Sequence, residues 1–516
     1  MFFIGTDIGT SSTKTVITDE NGTIISSDVR QYGVLEPHPS WAEQHPDVWL
    51  DAVKSTIRNA VDKGGINPGH AAALCISGLY GGSGVPLDKN MEVVRPCMIW
   101  MDRRSGRLSQ SLRAHIDEKE LFSVTENGID SYFGYTKLLW MKENEPELWK
   151  RTEVFLPPNQ YVIYRLTGQT VMDKTAAGNL GGLFDMKRGI WSREMSEMLE
   201  IPLTKLPERL LKPYEIAGEL SREAAGELGL LEGLPVCAGC VDCLSSTLAA
   251  GVTGEGECAA VLATSLNFGV IHSDMSPGPM YITMPYVTEE PGIRYTYGGM
   301  STAGALTKWF SEQFSPEQWK IGEAGGIPFE QLEKAALKVP PGCEGLLILP
   351  YFMGERCPIW DSEARGLVMG LSLKHSGAHI YRAILEAVGY GMRHMVETLE
   401  EDININACCK LTGGGSGSRL WNQILSDITG KTLVRMPKGA EAPYGDAFLA
   451  AYSVGSVQNF SDIKVWVKEG ETISPAKEKS EFYDNYFEIY KHLYYAIKEH
   501  MHRLPSWPMR LYFGMP

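Results

Sequence analysis

The residues best equipped for chemistry open the chain. Asp7-Ile8-Gly9-Thr10-Ser11-Ser12-Thr13-Lys14 follows an apolar run from Phe2 and gives way to β-branched Thr15-Val16-Ile17. This is the pattern of a β-hairpin with a phosphate-sized turn. Gly9 permits φ > 0 and close backbone approach to a ligand, while Thr10, Ser11 and Thr13 add hydroxyls to N–H groups that would face phosphate oxygens. Asp7, at the strand's end, is placed to hold a hydrated magnesium ion. An ordinary Gly-Thr hairpin with a solvated Asp has the same pattern, so the rest of the chain must decide.

Two further constellations carry chemical potential. Gly413-Gly414-Gly415-Ser416-Gly417-Ser418 follows an apolar strand and precedes a helix bearing Asn422. Glycines there would let backbone approach a ribose or α-phosphate, and the helix N-terminus offers N–H donors, although such a turn is also a common plain connection. Cys237, Cys240 and Cys243 have the C-x₂-C-x₂-C spacing of iron–sulfur ligation but lack a fourth cysteine three residues on. Leu234-Pro235-Val236-Cys237-Ala238-Gly239 reads as a buried strand entering a Gly turn, and an extended segment throws cysteines at i and i+3 to opposite faces. Three packed thiols are the simpler expectation.

The elements that position these residues follow from length and patterning. At 516 residues the chain exceeds what one hydrophobic core serves, so two domains with a ligand cleft between them are expected, divided here as 1–247 and 248–516. With 48 Lys+Arg against 63 Asp+Glu the net charge is −15 and no basic run tracks a phosphodiester backbone, which argues against nucleic-acid binding. No basic leader precedes the first strand and no apolar run reaches membrane-spanning length; a cytoplasmic protein without a membrane partner is the expectation. Ten cysteines are too sparse for a disulfide scaffold.

Helical periodicity marks 46–61, 136–149, 301–314, 379–399, 418–429 and 481–504, and buried strands are read at 72–77, 154–156, 345–350 and 408–412. Alternation of these lengths argues α/β layers. The segment from Glu257 to Val270 is again strand, Thr264-Ser265 turn, strand, an echo of Ile4 to Ile17 that suggests a duplicated fold. Pro505 to Pro516 is a Pro/aromatic tail without an assigned place.

Gly366-Leu367-Val368-Met369-Gly370-Leu371, seven residues, and His379-Ile380-Tyr381-Arg382-Ala383-Ile384-Leu385-Glu386 resemble the second signature of the FGGY carbohydrate kinases. Further segments resemble that family in the same order: Asp7 to Lys14, Trp41 to Gln44, Trp100 to Arg104, Leu166 to Gly168, Gly239 to Asp242, Leu349 to Arg356 and the Gly413 run. The first signature, around Tyr135 to Trp140, is imperfect: Lys137 and Trp140 fit, but Gly134 stands where Pro, Ser or Thr is usual. Together these cover nearly the whole chain.

The resemblance implies a duplicated actin/hexokinase-like (ribonuclease H-like) α/β fold of two domains with a central cleft, binding ATP, Mg²⁺ and a small-molecule sugar or polyol; a homodimer is one assembly the sequence leaves open. The activity most resembles that of xylulose kinases. Phosphoryl transfer to an alcohol needs a carboxylate to accept the hydroxyl proton, and Asp242 falls at the family's base position. Its competing role is a helix N-cap. Asp7 is then the magnesium-side carboxylate, Thr10, Ser11 and Lys14 form the first phosphate turn, Thr264 and Ser265 the second, and Gly413, Gly414, Gly415 and Asn422 serve the nucleotide.

Sugar recognition departs from the pattern. Leu79-Tyr80-Gly81 replaces the usual Met-His-Gly, and Cys243 stands where Asn or Gln often follows the base. Tyr80, Gly81 and Asp102 are the expected sugar contacts, each also compatible with a structural role. Another ketose or a polyol (ribulose, a hexulose, a glycerol-like compound) is the alternative within the class. An ATPase activator with an iron–sulfur cluster is the alternative outside it.

Overall fold

A computed structural model describes the chain except residues 289–291, 315–327, 438, 440 and 505–516; the C-terminal Pro/aromatic tail therefore lies outside the described residues. The chain folds as two compact units that do not follow sequence order. Unit 1 comprises Met1–Ala259, Gly269–Tyr297 and Met436–Gly470; unit 2 comprises Ala260–Phe268, Gly298–Arg435 and Glu471–Pro516. Among the described residues no helix is long and apolar enough to cross a membrane.

In unit 1 the opening hairpin forms as its pattern predicts. Strand β1 (Phe2–Ile8) pairs antiparallel with β2 (Ser12–Asp19), placing Asp7 opposite Lys14, and β2 pairs antiparallel with β3 (Ile24–Gln31). Helix α1 (Pro46–Gly64) begins with proline in its first turn, where no N–H is needed, and ends on Gly65 in the left-handed conformation. Trp49, Val53, Ile57 and Ala60 recur at helical spacing and pack with Ile4, Ile8 and Ile17 of the sheet.

Strand β4 (Ala71–Gly78) lies parallel to β1 with Ser77 beside Asp7. The helical stretch expected over 136–149 is interrupted: α2 (Gly134–Asn144) stops before Pro146, which starts a separate turn of helix at Pro146–Arg151. Two later strands, β5 (Ile216–Glu219) and β6 (Pro235–Cys237), complete a sheet ordered β5-β6-β4-β1-β2-β3, and α3 (Asp242–Ala249) follows β6 closely.

Unit 2 repeats the plan. The hairpin of β7 (Cys258–Leu262) and β8 (Leu266–His272) stands where its echo of the first hairpin placed it, and with β9 (Arg294–Met300) contributes residues to this unit. Helix α4 (Gly304–Gln313) starts three residues later than its pattern suggested. The N–H groups of Ala303, Gly304 and Ala305 are spent on the carbonyls of Ala263 and Thr264 rather than on helix or solvent.

Helix α5 (Gly377–Glu400), strand β10 (Cys408–Thr412) and helix α6 (Arg419–Thr429) match their expected places to within two residues, and strand β11 (Thr432–Arg435) follows them without a sequence-based expectation. The sheet here runs β9-β8-β7-β10-β11 and then Thr472–Ile473. Unit 1 is built on a hairpin with a third antiparallel strand beyond β2 and a parallel strand beyond β1, unit 2 on a hairpin flanked by β9 and β10, and this is the duplicated actin/hexokinase-like fold. Strands β3, β5 and β11 have no counterpart among the sequence-based expectations, nor has one helix that bears on the site. Helix α7 (Ala442–Ser453), far along the chain, belongs to unit 1 and packs across β1 and α3.

Candidate active site

The first turn of unit 1 is held from below by three side chains. Gln44 Nε2 donates to the Thr10 carbonyl at 2.8 Å, Trp100 Nε1 donates to Thr10 Oγ1 at 3.0 Å, and the Tyr32 hydroxyl donates to the Gly9 carbonyl at 2.7 Å. Thr10 thus accepts through its hydroxyl and keeps its own proton for a ligand. Gly9 is not among the residues at positive φ. Its glycine identity follows instead from closeness, since a Cβ there would lie 3.1 Å from the Ser12 carbonyl and 3.6 Å from Asp7 Oδ2. Ser11 is exposed, and Lys14 forms an ion pair with Glu441.

Asp242 is the first residue of α3, so the cap position falls to Val241, and the Asp242 carboxyl accepts the Cys243 N–H at 2.7 Å. It is an acid in a helix's first turn rather than the cap itself. Burial pushes its pKa up to about 6, against the lowering pull of the Cys243 amide. Asp7 is pushed well above the usual carboxylate range, first by burial and then by the charge of Asp242. The two carboxyls therefore sense each other across the end of the sheet.

The segment before Asp242 is fixed in detail. Gln160 Nε2 donates to the Ala238 carbonyl at 2.6 Å and to Asp173 Oδ2 at 3.1 Å; the Thr175 hydroxyl donates to Asp173 and accepts the Val241 N–H at 3.0 Å. Gly239 takes φ 73° against the Ile76 backbone. None of Gln160, Asp173 and Thr175 was singled out in the sequence. They are polar residues in buried positions, a signal visible only once burial is known.

Around the expected sugar contacts, Gly81 at φ 86° faces the ring of Tyr132, whose hydroxyl is 2.8 Å from that of Tyr297 and receives Asn179 Nδ2 at 3.4 Å. Asn179 Oδ1 is buried without a protein partner. Both Asp242 and Cys243 raise the pKa of the Tyr132 hydroxyl, to which burial contributes most; it lies at about 12. Tyr132 and Asn179 were not found from the sequence. Lys137 is fully buried and donates to the carbonyls of Gly81, Ser131 and Tyr132 at 2.7–2.8 Å, clamping the two loops together, with burial pushing its pKa down to about 7.

Tyr80 is itself buried, beside Cys97 and Asp173. Asp102, an expected sugar contact, has another occupation. It is fully buried and accepts the Ala42 N–H at 2.7 Å and several N–H groups of Arg104 at 2.7–3.0 Å, while the Arg104 guanidinium stacks 3.6 Å over Trp41. Those bonds fill its oxygens and tie the Trp41 segment to the Trp100 loop.

In unit 2, the turn bearing Thr264 and Ser265 is anchored by the start of α4: Ala303 and Ala305 N–H groups donate to the Thr264 carbonyl at 2.9 and 3.0 Å. The Thr264 side chain is exposed and that of Ser265 half-exposed. In the glycine run, Gly413 sits at φ 91° against the backbone of Leu262, and Gly415 against the Leu262 side chain, whereas Gly414 and Gly417 face open space. The α6 N-terminus is already engaged: Leu420 N–H and the Ser418 hydroxyl donate to Glu333, and Trp421 N–H donates to Ser418 Oγ. Within the run the Ser416 N–H is also engaged, donating to the Gly413 carbonyl at 3.1 Å. Asn422 is buried and donates to the Ser416 carbonyl at 2.8 Å, so it shapes this turn from within.

None of the ten cysteines forms a disulfide. Cys237 and Cys240 are buried, Cys237 lies against Cys75, and burial pushes the Cys75 and Cys240 thiols up. Among the described residues, no three His, Cys, Asp or Glu side chains converge on a point that could hold a metal. Protein purified anaerobically should be colourless and free of stoichiometric iron, which metal analysis and the visible spectrum check.

The sequence model of the N-terminal domain of the FGGY family of carbohydrate kinases matches residues 2–249, and that of its C-terminal domain matches residues 249–454. The chain is 28% identical to xylulose kinase of Bacillus subtilis (strain 168) over 96% of its own length and 97% of the relative's. It is 26% identical to gluconokinase of the same organism over 95% of each. The crystal structure of xylulose kinase from Rhodospirillum rubrum superposes with a TM-score of 0.89 at 29% identity, covering 98% of this chain and 100% of that one.

Proposed function

Since the chain belongs to the FGGY family of carbohydrate kinases, we propose that it phosphorylates a ketopentose such as D-xylulose from ATP, with Asp242 as the general base. The observation that carries this reading is the Asp242 carboxyl: it is held by one backbone N–H and by a braced segment, and is raised to about 6 by burial. A base of that strength is ionised at neutral pH yet basic enough to take a hydroxyl proton as the oxygen attacks phosphorus. Its Oδ1 is engaged by Cys243, which leaves Oδ2 for the substrate.

The remaining roles follow from charge and donors. Thr10 and the backbone of its turn bind phosphate oxygens in unit 1; Thr264, Ser265 and the backbone of Gly414 and Gly415 serve the nucleotide in unit 2. Asp7 suits magnesium, because its Oδ1 is taken by Ser77 and only Oδ2 stays open. One free carboxylate oxygen fits an ion that keeps most of its waters and binds substrate phosphates, and not a closed protein cage. Magnesium, when bound with ATP, neutralises charge on the transferring phosphoryl group. Lys137, by clamping the Gly81 and Tyr132 carbonyls, orients the loops that face the sugar.

Xylulose kinase relatives support a pentulose, while the gluconokinase relative keeps a sugar acid in consideration. An ATP-consumption screen over pentuloses, hexuloses, pentitols, glycerol and gluconate tests the choice: the highest kcat/KM is expected for a 2-ketopentose, and preference for any other class would overturn the substrate reading. Tyr132→Phe removes the hydroxyl beside Cys243 and should lower kcat/KM for the preferred sugar by about 1–3 kcal/mol, the loss of a buried hydrogen-bond partner, with KM for ATP unmoved. Equal efficiencies across the panel for parent and variant would take Tyr132 out of the sugar site.

A further inference from the structure

Behind Asp7 lies a second acid that the mechanism above does not use. Asp446, on α7, is fully buried in unit 1. Helix α7 reaches β1 because Gly5 has no Cβ: one there would overlap the backbone of Pro443 and Ala447. It reaches α3 through Gly445, which faces the Ser245 backbone. Two bare backbone contacts thus set Asp446 under the strand ends that carry Asp7 and Ser77.

Among the described residues its carboxyl is bound by hydroxyls and one distant amide. Asp446 Oδ2 is 2.6 Å from Ser77 Oγ and 3.4 Å from Ser77 N, and Oδ1 is 2.7 Å from Ser245 Oγ. Each serine has a second oxygen neighbour: Ser77 Oγ is 3.1 Å from Asp7 Oδ1, and Ser245 Oγ is 2.7 Å from the Ala442 carbonyl. With Asp7 taken as the ionised, magnesium-side carboxylate, four oxygen–oxygen contacts share two hydroxyl protons, one per serine. A proton on Asp446 supplies a third. The serine it reaches then accepts from Asp446 and passes its own proton onward. Among the described residues, Asp7, Cys75 and Cys240 are titratable groups that bear on Asp446, none of them a cation, while Lys14 acts on Asp7. Desolvation acts the same way, pushing the Asp446 carboxyl well above its ordinary range.

We propose that Asp446 is a protonated positioning residue, which through Ser77 fixes the direction of the Asp7 carboxylate for phosphoryl transfer. With Asp446 donating to Ser77, the Ser77 hydroxyl is committed to Asp7 Oδ1, and Oδ2 stays turned toward the ligand side. An ionised Asp446 would instead capture the Ser77 proton and leave two carboxylates facing one oxygen. The inference rests on the reading of Asp7 as the magnesium-side carboxylate.

Three variants and one spectrum test it. Asp446→Asn is neutral and of the same shape, so its amide can donate to one serine and accept from the other. Asp446→Ala removes both bonds, and Ser77→Ala removes the bridge while keeping Asp446. The infrared difference between parent and Asp446→Asn at about pH 8, far above an ordinary Asp pKa, should show the band of a protonated carboxylic acid. Asp446→Asn should keep kcat close to the parent's, whereas Asp446→Ala and Ser77→Ala should lose about ten- to a hundredfold in kcat, with KM values for sugar and ATP little changed. Absence of the infrared band, or an Asn variant as impaired as Ser77→Ala, overturns the proposal even if Asp446→Ala does not fold. Asp7→Ala separates the premise: full turnover there overturns the role of Asp7, while an inactive Asp7→Ala beside fully active Ser77→Ala overturns only the role of Asp446.

Discussion

Asp242→Asn should fold, bind magnesium-ATP much as the parent does, and lose on the order of 10²–10⁴ in turnover with its best sugar, the usual scale for a positioned general base. Asparagine keeps the shape and can still accept the Cys243 N–H, so the local geometry that the carboxyl now makes is preserved. What is lost is the proton acceptor. Sugar-dependent ADP release reads the effect, and near-parental turnover in a folded variant would sink the base assignment. In the parent, turnover should rise as pH increases through about 6, where Asp242 ionises, and then level off.

The same substitution makes a stability prediction of opposite sign. A carboxyl whose folded pKa is raised holds its proton more tightly folded than unfolded, so its favourable contribution is present below the unfolded pKa and is lost as pH rises through about 6. Above that, a charged and half-buried Asp242 costs stability, and its charge also burdens Asp7. Asp242→Asn should therefore be more stable than the parent at pH 8, by on the order of 1–2 kcal/mol and with a higher melting point, and show little difference at pH 4. A lower melting point at pH 8 would mean that the carboxylate serves the fold rather than the reaction.

The local elements were legible where one strand or helix carries its own pattern. The hairpin from Phe2 shows because β-branched residues flank a polar turn, and α1 shows because Trp49, Val53 and Ile57 recur on one face with proline before and glycine after. Helix α7 was not legible: ten of its twelve residues are buried, so it has no polar face to mark a helical period. Nor does local sequence record that residues near 446 pack against residue 5. Asp446 was missed for that reason, and Gln160, Asp173 and Thr175 because their value lies in bonds to Ala238 and Val241.

Asp102 shows the converse. Its motif was visible, but motif alone does not say whether a carboxylate faces a ligand or an arginine, and here Arg104 and the Ala42 amide fill it. Gly9 and Gly413 divide likewise. Both were read as openings for a ligand; Gly9 is spared a Cβ by its own turn, and Gly413 by the Leu262 backbone. Close packing and close ligand approach select the same residue, so the sequence cannot separate them.

Gly239→Ala should be among the most damaging single-atom changes in the chain. At φ 73° an alanine pays about 1 kcal/mol for the left-handed conformation alone, and its Cβ would overlap the Ile76 carbonyl of β4, which as backbone in a central strand has little room to yield. Gly65 provides the control. It ends α1 at φ 58° with nothing within 4 Å of an added Cβ, so Gly65→Ala bears the conformational cost without the collision. Denaturant unfolding should therefore place Gly239→Ala about 3 kcal/mol or more below the parent and Gly65→Ala only about 1 kcal/mol below. If Gly239→Ala survives purification, the strand and the loop must have moved apart. Asp242 lies three residues on, so turnover should fall by about a hundredfold, the effect of an ångström of misplacement at a reacting group. Equal stability losses for the two alanine variants would show that β4 and the loop before Asp242 are not locked backbone to backbone, and would remove the bracing on which the position of the base depends.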